Sequence, residues 1–556
     1  MRSADRLVLF LALAGAVAWA APPERVEPVV FEEVAAARGL RFTTNSGRTA
    51  RRHQPETMVS GVALLDYDGD GRLDVYAVNG APIDGLRKTG PEYWNRLFHQ
   101  NADGTFADVT EKAGVAGRGY DLGVVTGDYD NDGDPDIFVA GLRRNTLFRN
   151  NGDGTFTDVT EAAGLARPDP TYGTLWAVAA AFVDYDHDGR LDLFVSNYCV
   201  WDPAKEPLCG DPSRPDYCHP KQYQGLPNSL FHNSGDGTFT DVSAPSGIRA
   251  HVGKGMGIGA ADFDGDGWVD LFVSNDTLPS FLFMNGRDGT FKESAFDRAV
   301  AFPDRAEAVS GMGAAAGDVD NDGWPDVFQT ALSNETFPLF RNVGKAMFEE
   351  ITTRSGVAMA TRARSGWGNG IVDLNNDGWK DLFVAAADVM DPKGSFGERV
   401  PMANAVLLNL EGGRFADGSA GAGTQFARKA VHRGAAFGDI DGDGRLDVVV
   451  SALDGPIELW RNVSPARHHW LGVDPTGTTS NRDGSGTKIK LVSAWGTQYG
   501  EATTSVGYGC ASDRRVHFGL GADTVVRELT LSWPSGKTQT LANVQADQIL
   551  KVIEPN

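Results

Sequence analysis

Several things are scarce in this chain, and each scarcity narrows its class. Cysteine occurs four times in 556 residues, at Cys199, Cys209, Cys218 and Cys510. That excludes a disulfide-dense small scaffold, and a chain of this length buries a core without one. Positive charge is outnumbered: 51 Lys and Arg face 74 Asp and Glu, for a formal charge of −23. Such a balance argues against general attraction to nucleic acid or anionic membranes. After the N-terminal segment no stretch approaches the ~18 apolar residues of a membrane span. Neither G-x-S-x-G nor H-E-x-x-H occurs, so the common hydrolase and metalloprotease signatures are absent.

The N-terminus has its own logic. Arg2 and Arg6 precede the apolar run Leu7 to Trp19, and Ala18-Trp19-Ala20 is a small-x-small cleavage site. Residues 1–20 read as a signal peptide cut after Ala20, giving a secreted or periplasmic protein. An even cysteine count then favours disulfides. Cys209 and Cys218 share one loop and are expected to pair, which leaves Cys199 with Cys510 as a staple to the C-terminal part. A zinc reading of the three clustered cysteines with His219 lacks the short C-x₂₋₄-C spacing.

What is abundant is one nine-residue acidic loop in seven copies. Positions 1, 3, 5, 7 and 9 are Asp66, Asp68, Asp70, Arg72 and Asp74 in the first, then Asp128, Asp130, Asp132, Asp134 and Asp136. The third has Asp184, Asp186, Asp188, Arg190 and Asp192; the fourth Asp262, Asp264, Asp266, Trp268 and Asp270. The fifth has Asp318, Asp320, Asp322, Trp324 and Asp326; the sixth Asp373, Asn375, Asp377, Trp379 and Asp381. The last has Asp439, Asp441, Asp443, Arg445 and Asp447. Gly holds position 6 throughout, where a sharp turn aims the carboxylates at one point and position 7 lends its carbonyl. Crowded carboxylates repel by ~1–4 kcal/mol per pair, so the pattern calls for a cation. The flexible oxygen-rich set suits Ca²⁺ better than Mg²⁺, at about seven sites per chain. Seven such ions would bring the formal charge from −23 to −9. An EF-hand is excluded at position 12, where its bidentate Glu is replaced by Ala77, Val139, Val195, Val273, Gln329, Val384 and Val450. Without that ligand the affinity is expected to be modest, ~10⁻⁵–10⁻³ M.

Loops recurring every 55 to 78 residues imply a repeat architecture. A second phrase follows each loop, as in Leu147 to Leu165 (LFRNNGDGTFTDVTEAAGL), and its Gly-Asp-Gly turn between β-prone runs is a hairpin signal. Each unit then has four short strands: A, acidic loop, B, C, hairpin, D. The fold class is all-β, a seven-bladed β-propeller over residues 21–463 followed by a small β domain over 464–556. The seventh unit lacks strand D, and Phe31-Glu-Glu-Val34 is expected to supply it and close the ring. Strand parity puts acidic loops and C–D hairpins on one face. The long B–C inserts, Gly80 to Asn95, Asn197 to Asn228 and Ala387 to Asn404, lie on the other, where binding is expected.

Three decoys are set aside. Gly536-Lys537-Thr538 lacks the earlier glycine of a phosphate loop and follows Trp533-Pro534, which suits a β-turn. The glycines at 253, 255, 257 and 259 suit close packing of blades. His468-His469 reads as a solvated linker.

The loop D-x-D-x-D-G-x-x-D and the phrase N-x-G-D-G-T-F-x-D-V-T resemble FG-GAP/VCBS repeats of integrin-α-like propellers. Arg467-His-His-Trp470-Leu-Gly-Val, Arg515-Val-His-Phe518-Gly-Leu-Gly521 and Leu531-Ser-Trp-Pro-Ser-Gly536 resemble the ASPIC/UnbV domain. The combination is similar to bacterial relatives of cartilage acidic protein. The resemblance implies calcium binding and extracellular interaction, with no catalytic residues to carry over. The reading is a monomeric, non-enzymatic scaffold whose long-loop face binds a protein or glycan. The alternative is an extracellular lyase or hydrolase acting through Asp202, Glu206, Asp216, Tyr217 and Tyr223 in the second insert. A third reading is an accessory factor for assembling another secreted product.

Overall fold

Short β-prone runs punctuated by Asp-Gly turns leave little room for helix, and the chain is all-β. A computed structural model describes residues 27–59, 61–389, 400–465 and 467–556. The expected signal peptide, and residues 390–399 of the third insert, lie outside the described residues.

Seven units each pair four strands antiparallel in the order A to D. In the second unit these are Tyr120–Gly127, Asp136–Leu142, Thr146–Asn150 and Phe156–Asp158. The position-12 residues that argued against an EF-hand lie in strand B, as Ala77 does in Asp74–Ala77. The seventh sheet takes its fourth strand from the N-terminus: Phe31–Glu33 pairs with Glu458–Asn462, with Phe31 opposite Asn462. The seven A strands are neighbours in turn, and the seventh, His432–Gly438, also lies against the first, Val62–Leu65. The arrangement is propeller-like.

Packing follows from stacking sheets face to face. Both faces of strand B are covered, so Ile137, Phe138, Val139 and Ala140 are all buried, with no alternation. Where A strands converge, backbones touch. A Cβ on Gly257 would lie 2.4 Å from the Ala314 nitrogen and 2.6 Å from the Gly507 oxygen. This glycine run therefore serves close approach, as its spacing suggests.

The tail forms a three-stranded and a four-stranded sheet around Leu471, Ile489, Phe518, Leu529 and Trp533. Gly536 turns between Val525–Ser532 and Thr538–Gln545 with φ +84°, so the Gly-Lys-Thr triplet is a hairpin turn. One hairpin leaves the tail altogether. Ser505–Val506 and Cys510–Ala511 join the first sheet, with Ala511 parallel to Ala63.

The cysteine expectation divides. Cys209 and Cys218 are bonded, with Cα atoms 5.2 Å apart. Cys199 and Cys510 are separate buried thiols, which corrects the proposed staple. They belong to different apolar clusters, Cys199 with Trp201 and Leu226, Cys510 with Leu64 and Val75.

Candidate functional site

Each acidic loop is built by its own backbone before any ligand is considered. Position 6 is left-handed in all seven, from φ +82° at Gly189 to +104° at Gly133. The turn lets the position-1 carboxylate accept two amides: Asp66 takes the Asp70 N–H at 3.0 Å and the Gly71 N–H at 2.9 Å. Asp128, Asp262, Asp318 and Asp439 repeat both bonds. Asp184 and Asp373 keep the one from glycine. The position-5 carboxylate accepts the position-7 amide, as Asp70 does from Arg72 at 3.0 Å.

Position 9 is a strut as well as a candidate ligand. Its seven carboxylates are at most 2 % exposed. One oxygen accepts the position-2 amide and the other the amide ending strand C, as Asp136 does from Tyr129 at 3.1 Å and Asn150 at 2.7 Å. Burial first, then neighbouring carboxylates, push these acids up: Asp74 to about 8, Asp136 to about 9. At position 1 the same causes lift Asp128 and Asp184 to about 7 and Asp373 to about 8. A cation beside such a set would favour its charged form.

Carboxylate oxygens gather closely enough to hold a cation in each of the first three loops. Oxygens of Asp66, Asp68 and Asp70 lie within 4.8 Å of one another, as do those of Asp128, Asp130 and Asp136 and of Asp184, Asp186 and Asp192. That spread accommodates an oxygen-coordinated cation with bonds of ~2.3–2.6 Å. In the fourth, fifth and seventh loops, cations from outside the nine residues also lie on the carboxylates. Lys488 pairs with Asp262, Arg341 with Asp320 and Asp322, and Arg461 with Asp441. In the sixth loop Asn375 donates to Asp377 at 2.9 Å. The position-7 side chains have separate work: Arg72, Arg190 and Arg445 pair with the position-5 carboxylates Asp70, Asp188 and Asp443, and Trp268 stacks on His187 at 3.8 Å.

Sequence reasoning missed three sets of residues. His99 and His232 of strand C approach the loops, His99 Nδ1 lying 3.3 Å from Asp68 and 3.4 Å from Asp74. The signal was present: the phrase L-F-x-N carries His or Arg at x in five units, counting Gln100 as the last residue of the first and Trp460 as the aromatic of the seventh. Position 4 is left-handed in every loop, and Asn131, Asn321 and Asn376 each donate to the glycine carbonyl of the next loop. The Asn ending strand C reaches the preceding unit, as Asn285 Nδ2 does to the Tyr185 carbonyl at 2.8 Å. In the first unit Gln100 spans to Ile440 of the seventh at 2.7 Å.

The tail covers the acidic-loop face. Asp483 accepts the Asp128 amide at 2.8 Å, Trp495 meets Trp379 at 5.1 Å, and a Cβ on Gly444 would overlap Trp470. His468 is no free linker residue, since its Nδ1 bonds the Asn375 carbonyl at 2.9 Å. The hairpin 505–511 enters between the A strands. Gly509 and Gly507 accept the amides of Val124 and Ala314, and the Tyr508 ring packs 5.0 Å from Trp367.

In the second insert, Glu206 is buried, accepting from Gln54 N at 3.0 Å and Tyr223 at 2.7 Å and pairing with His53. Tyr217 bonds Glu56 at 3.3 Å, Asp216 accepts its neighbour's amide, and half-buried Asp202 pairs with Lys205. Glu206, braced by Tyr223, and Tyr217 thus bolt the insert to residues 51–56, while Asp202 and Asp216 make local bonds.

Residues 66–139, 128–195, 222–273, 262–329 and 373–450 match the FG-GAP-like repeat, and 477–556 match ASPIC and UnbV. Cartilage acidic protein 1 of Mus musculus is 25 % identical over 511 residues, 89 % of this chain and 64 % of that protein. The chain therefore spans a little under two thirds of that relative's length. The Homo sapiens protein of the same name is 24 % identical over 521 residues, 90 % of this chain and 73 % of that protein. Among solved structures, a lectin of Agrocybe aegerita that recognises non-reducing terminal N-acetylglucosamine is 18 % identical. It has a TM-score of 0.39 and covers 72 % of this chain and 87 % of that one.

Proposed function

Because the chain belongs to the FG-GAP-like repeat family, with an ASPIC and UnbV tail, we propose that it is a secreted, calcium-stabilised, non-enzymatic scaffold on a closed seven-bladed propeller. One observation carries the reading of where it acts. The tail occupies the acidic-loop face, so the long inserts present the open face of the scaffold to a protein or glycan. The pairing of Phe31–Glu33 with the seventh sheet and the Gln100–Ile440 bond support closure of the ring.

Calcium has a structural task here. The carboxylates of positions 1, 3, 5 and 9 would hold it, and when bound it neutralises charge that the loop backbone has already concentrated. One site at 100-fold excess over Kd contributes about 2.7 kcal/mol. Excess EGTA should lower the Tm by several degrees and added calcium restore it; an unchanged melt excludes structural calcium. Chemical cross-linking of the calcium-bound chain to native secretome partners, read by mass spectrometry, should map to residues 80–95 and 197–228. Cross-links confined to the acidic-loop side would reverse the assignment of the binding face.

A further inference from the structure

A protein of charge −23 carries one groove lined by five arginines. It lies among the first three units and encloses about 540 Å³, within the ~300–1,000 Å³ of ligand sites. Arg87 comes from the first long insert, Arg118 and Arg167 from the D–A connections, and Arg143 and Arg144 from the B–C turn of the second unit. All belong to the face opposite the acidic loops.

The countercharge in the groove is already spent. Of its two acids, Glu161 pairs with Arg144 at 3.7 Å, and Asp169 pairs with Arg249. Arg144 also reaches Asp158 at 3.1 Å. Arg143 is held over the Trp201 ring, 5.5 Å from its centroid, with one nitrogen 3.3 Å from the Trp201 carbonyl. Arg87, Arg118 and Arg167 are exposed and have no carboxylate partner among the described residues. Arg143 lies within electrostatic reach of Asp202, so three guanidinium groups without countercharge face the groove, each offering forked donors that match carboxylate or sulfate oxygens.

We propose that this groove binds an anionic polysaccharide bearing uronate or sulfate groups. The proposal rests on the reading that the long-loop face engages partners, and it names the chemistry of one. A polysaccharide fits better than an acidic protein because protein interfaces anchor on exposed aromatic or aliphatic side chains. None of the exposed large apolar side chains among the described residues lines the groove. Guanidinium groups contributed by successive loops of three units suit the repeated charge of a glycan chain.

The test uses the full chain at fixed free calcium, with dextran sulfate, neutral dextran and poly-L-glutamate as probes in calorimetric titrations over a salt series. Dextran sulfate should bind and neutral dextran should not. The triple variant Arg87→Ser/Arg118→Ser/Arg167→Ser should weaken binding by about tenfold or more. It should also lower the slope of log Kd against log salt by about two to three, one released counterion per arginine. Triple replacement by Lys should restore the slope. Arg118→Ser alone should lower it by about one, a readout that stands should the triple variant lose stability. An unchanged Kd and slope would overturn the proposal, as would tighter binding of poly-L-glutamate through the same arginines. A native partner cross-linked to this face but bound equally by the triple variant would remove the polyanion and leave the binding face intact.

Discussion

Asn285 shows how much one side chain decides in this molecule. Its amide group donates to the Tyr185 carbonyl of the preceding unit at 2.8 Å, while its backbone amide serves Asp270. Equivalent bonds run from Asn150, Asn233, Asn342, Asn409 and Asn462, and from Gln100 across the N-terminal junction. Asn285→Leu would leave a buried carbonyl unpaired, at a cost of about 1–3 kcal/mol. A lowered Tm with calcium content unchanged is the expected result, and an unchanged Tm would show that the bond is dispensable. His517 offers a second test at this scale. Burial first, then Arg515, pull its pKa down to about 4, while Nε2 contacts Asn376 Oδ1 at 2.7 Å. An unfolded histidine titrates near ~6.5, so the unfolded chain takes up the proton first. The contribution is intact above pH ~6.5 and is lost as pH falls toward about 4. His517→Gln should flatten that part of the Tm–pH curve; an identical curve would refute the assignment.

At the scale of the element, the acidic loop is a preformed turn whose amides hold three of its four carboxylates. Positions 1 and 9 are buried or half-buried and fastened by one or two backbone N–H groups each, whereas Asp68 and Asp70 are exposed and Asp70 takes a single backbone amide, that of Arg72. Asp68→Ala/Asp70→Ala should therefore remove one ion per chain, measured by elemental analysis, and leave the sheet pairing of the first unit intact. Loss of more than one ion would mean that the loops are energetically coupled. The loops also differ more than their shared spacing suggests. Lys488, Arg341 and Arg461 reach the fourth, fifth and seventh from outside the nine residues.

For the whole molecule, the tail is more than an appended domain. Its hairpin lies among the A strands, and Tyr508 is fully buried there, with its hydroxyl 3.3 Å from the Met58 carbonyl. Tyr508→Ala should cost about 3–5 kcal/mol, as other buried aromatic truncations do. Melting and limited proteolysis should show propeller and tail weakening together. A tail that becomes protease-sensitive while the propeller's melt is unchanged would mean that the two are energetically separate.

The repeats, the position-9 carboxylates, the left-handed glycines and the donated strand at Phe31 were all legible in the sequence. Each depends on local chemistry: a carboxylate spacing, a turn requirement, a phrase missing at one end and present at the other. The Cys209–Cys218 bond was legible for the same reason, since its partners share a loop. The Cys199–Cys510 pairing failed because a bond between distant residues depends on geometry that composition does not carry. Likewise the docking of the tail on the acidic loops, the hairpin between the A strands and the gathering of Arg87, Arg118 and Arg167 depend on where the turns of the chain bring distant surfaces. Spacing along the chain determined what each unit is. The packing of units and tail, set by shape and buried contact between segments hundreds of residues apart, decided which face remains open.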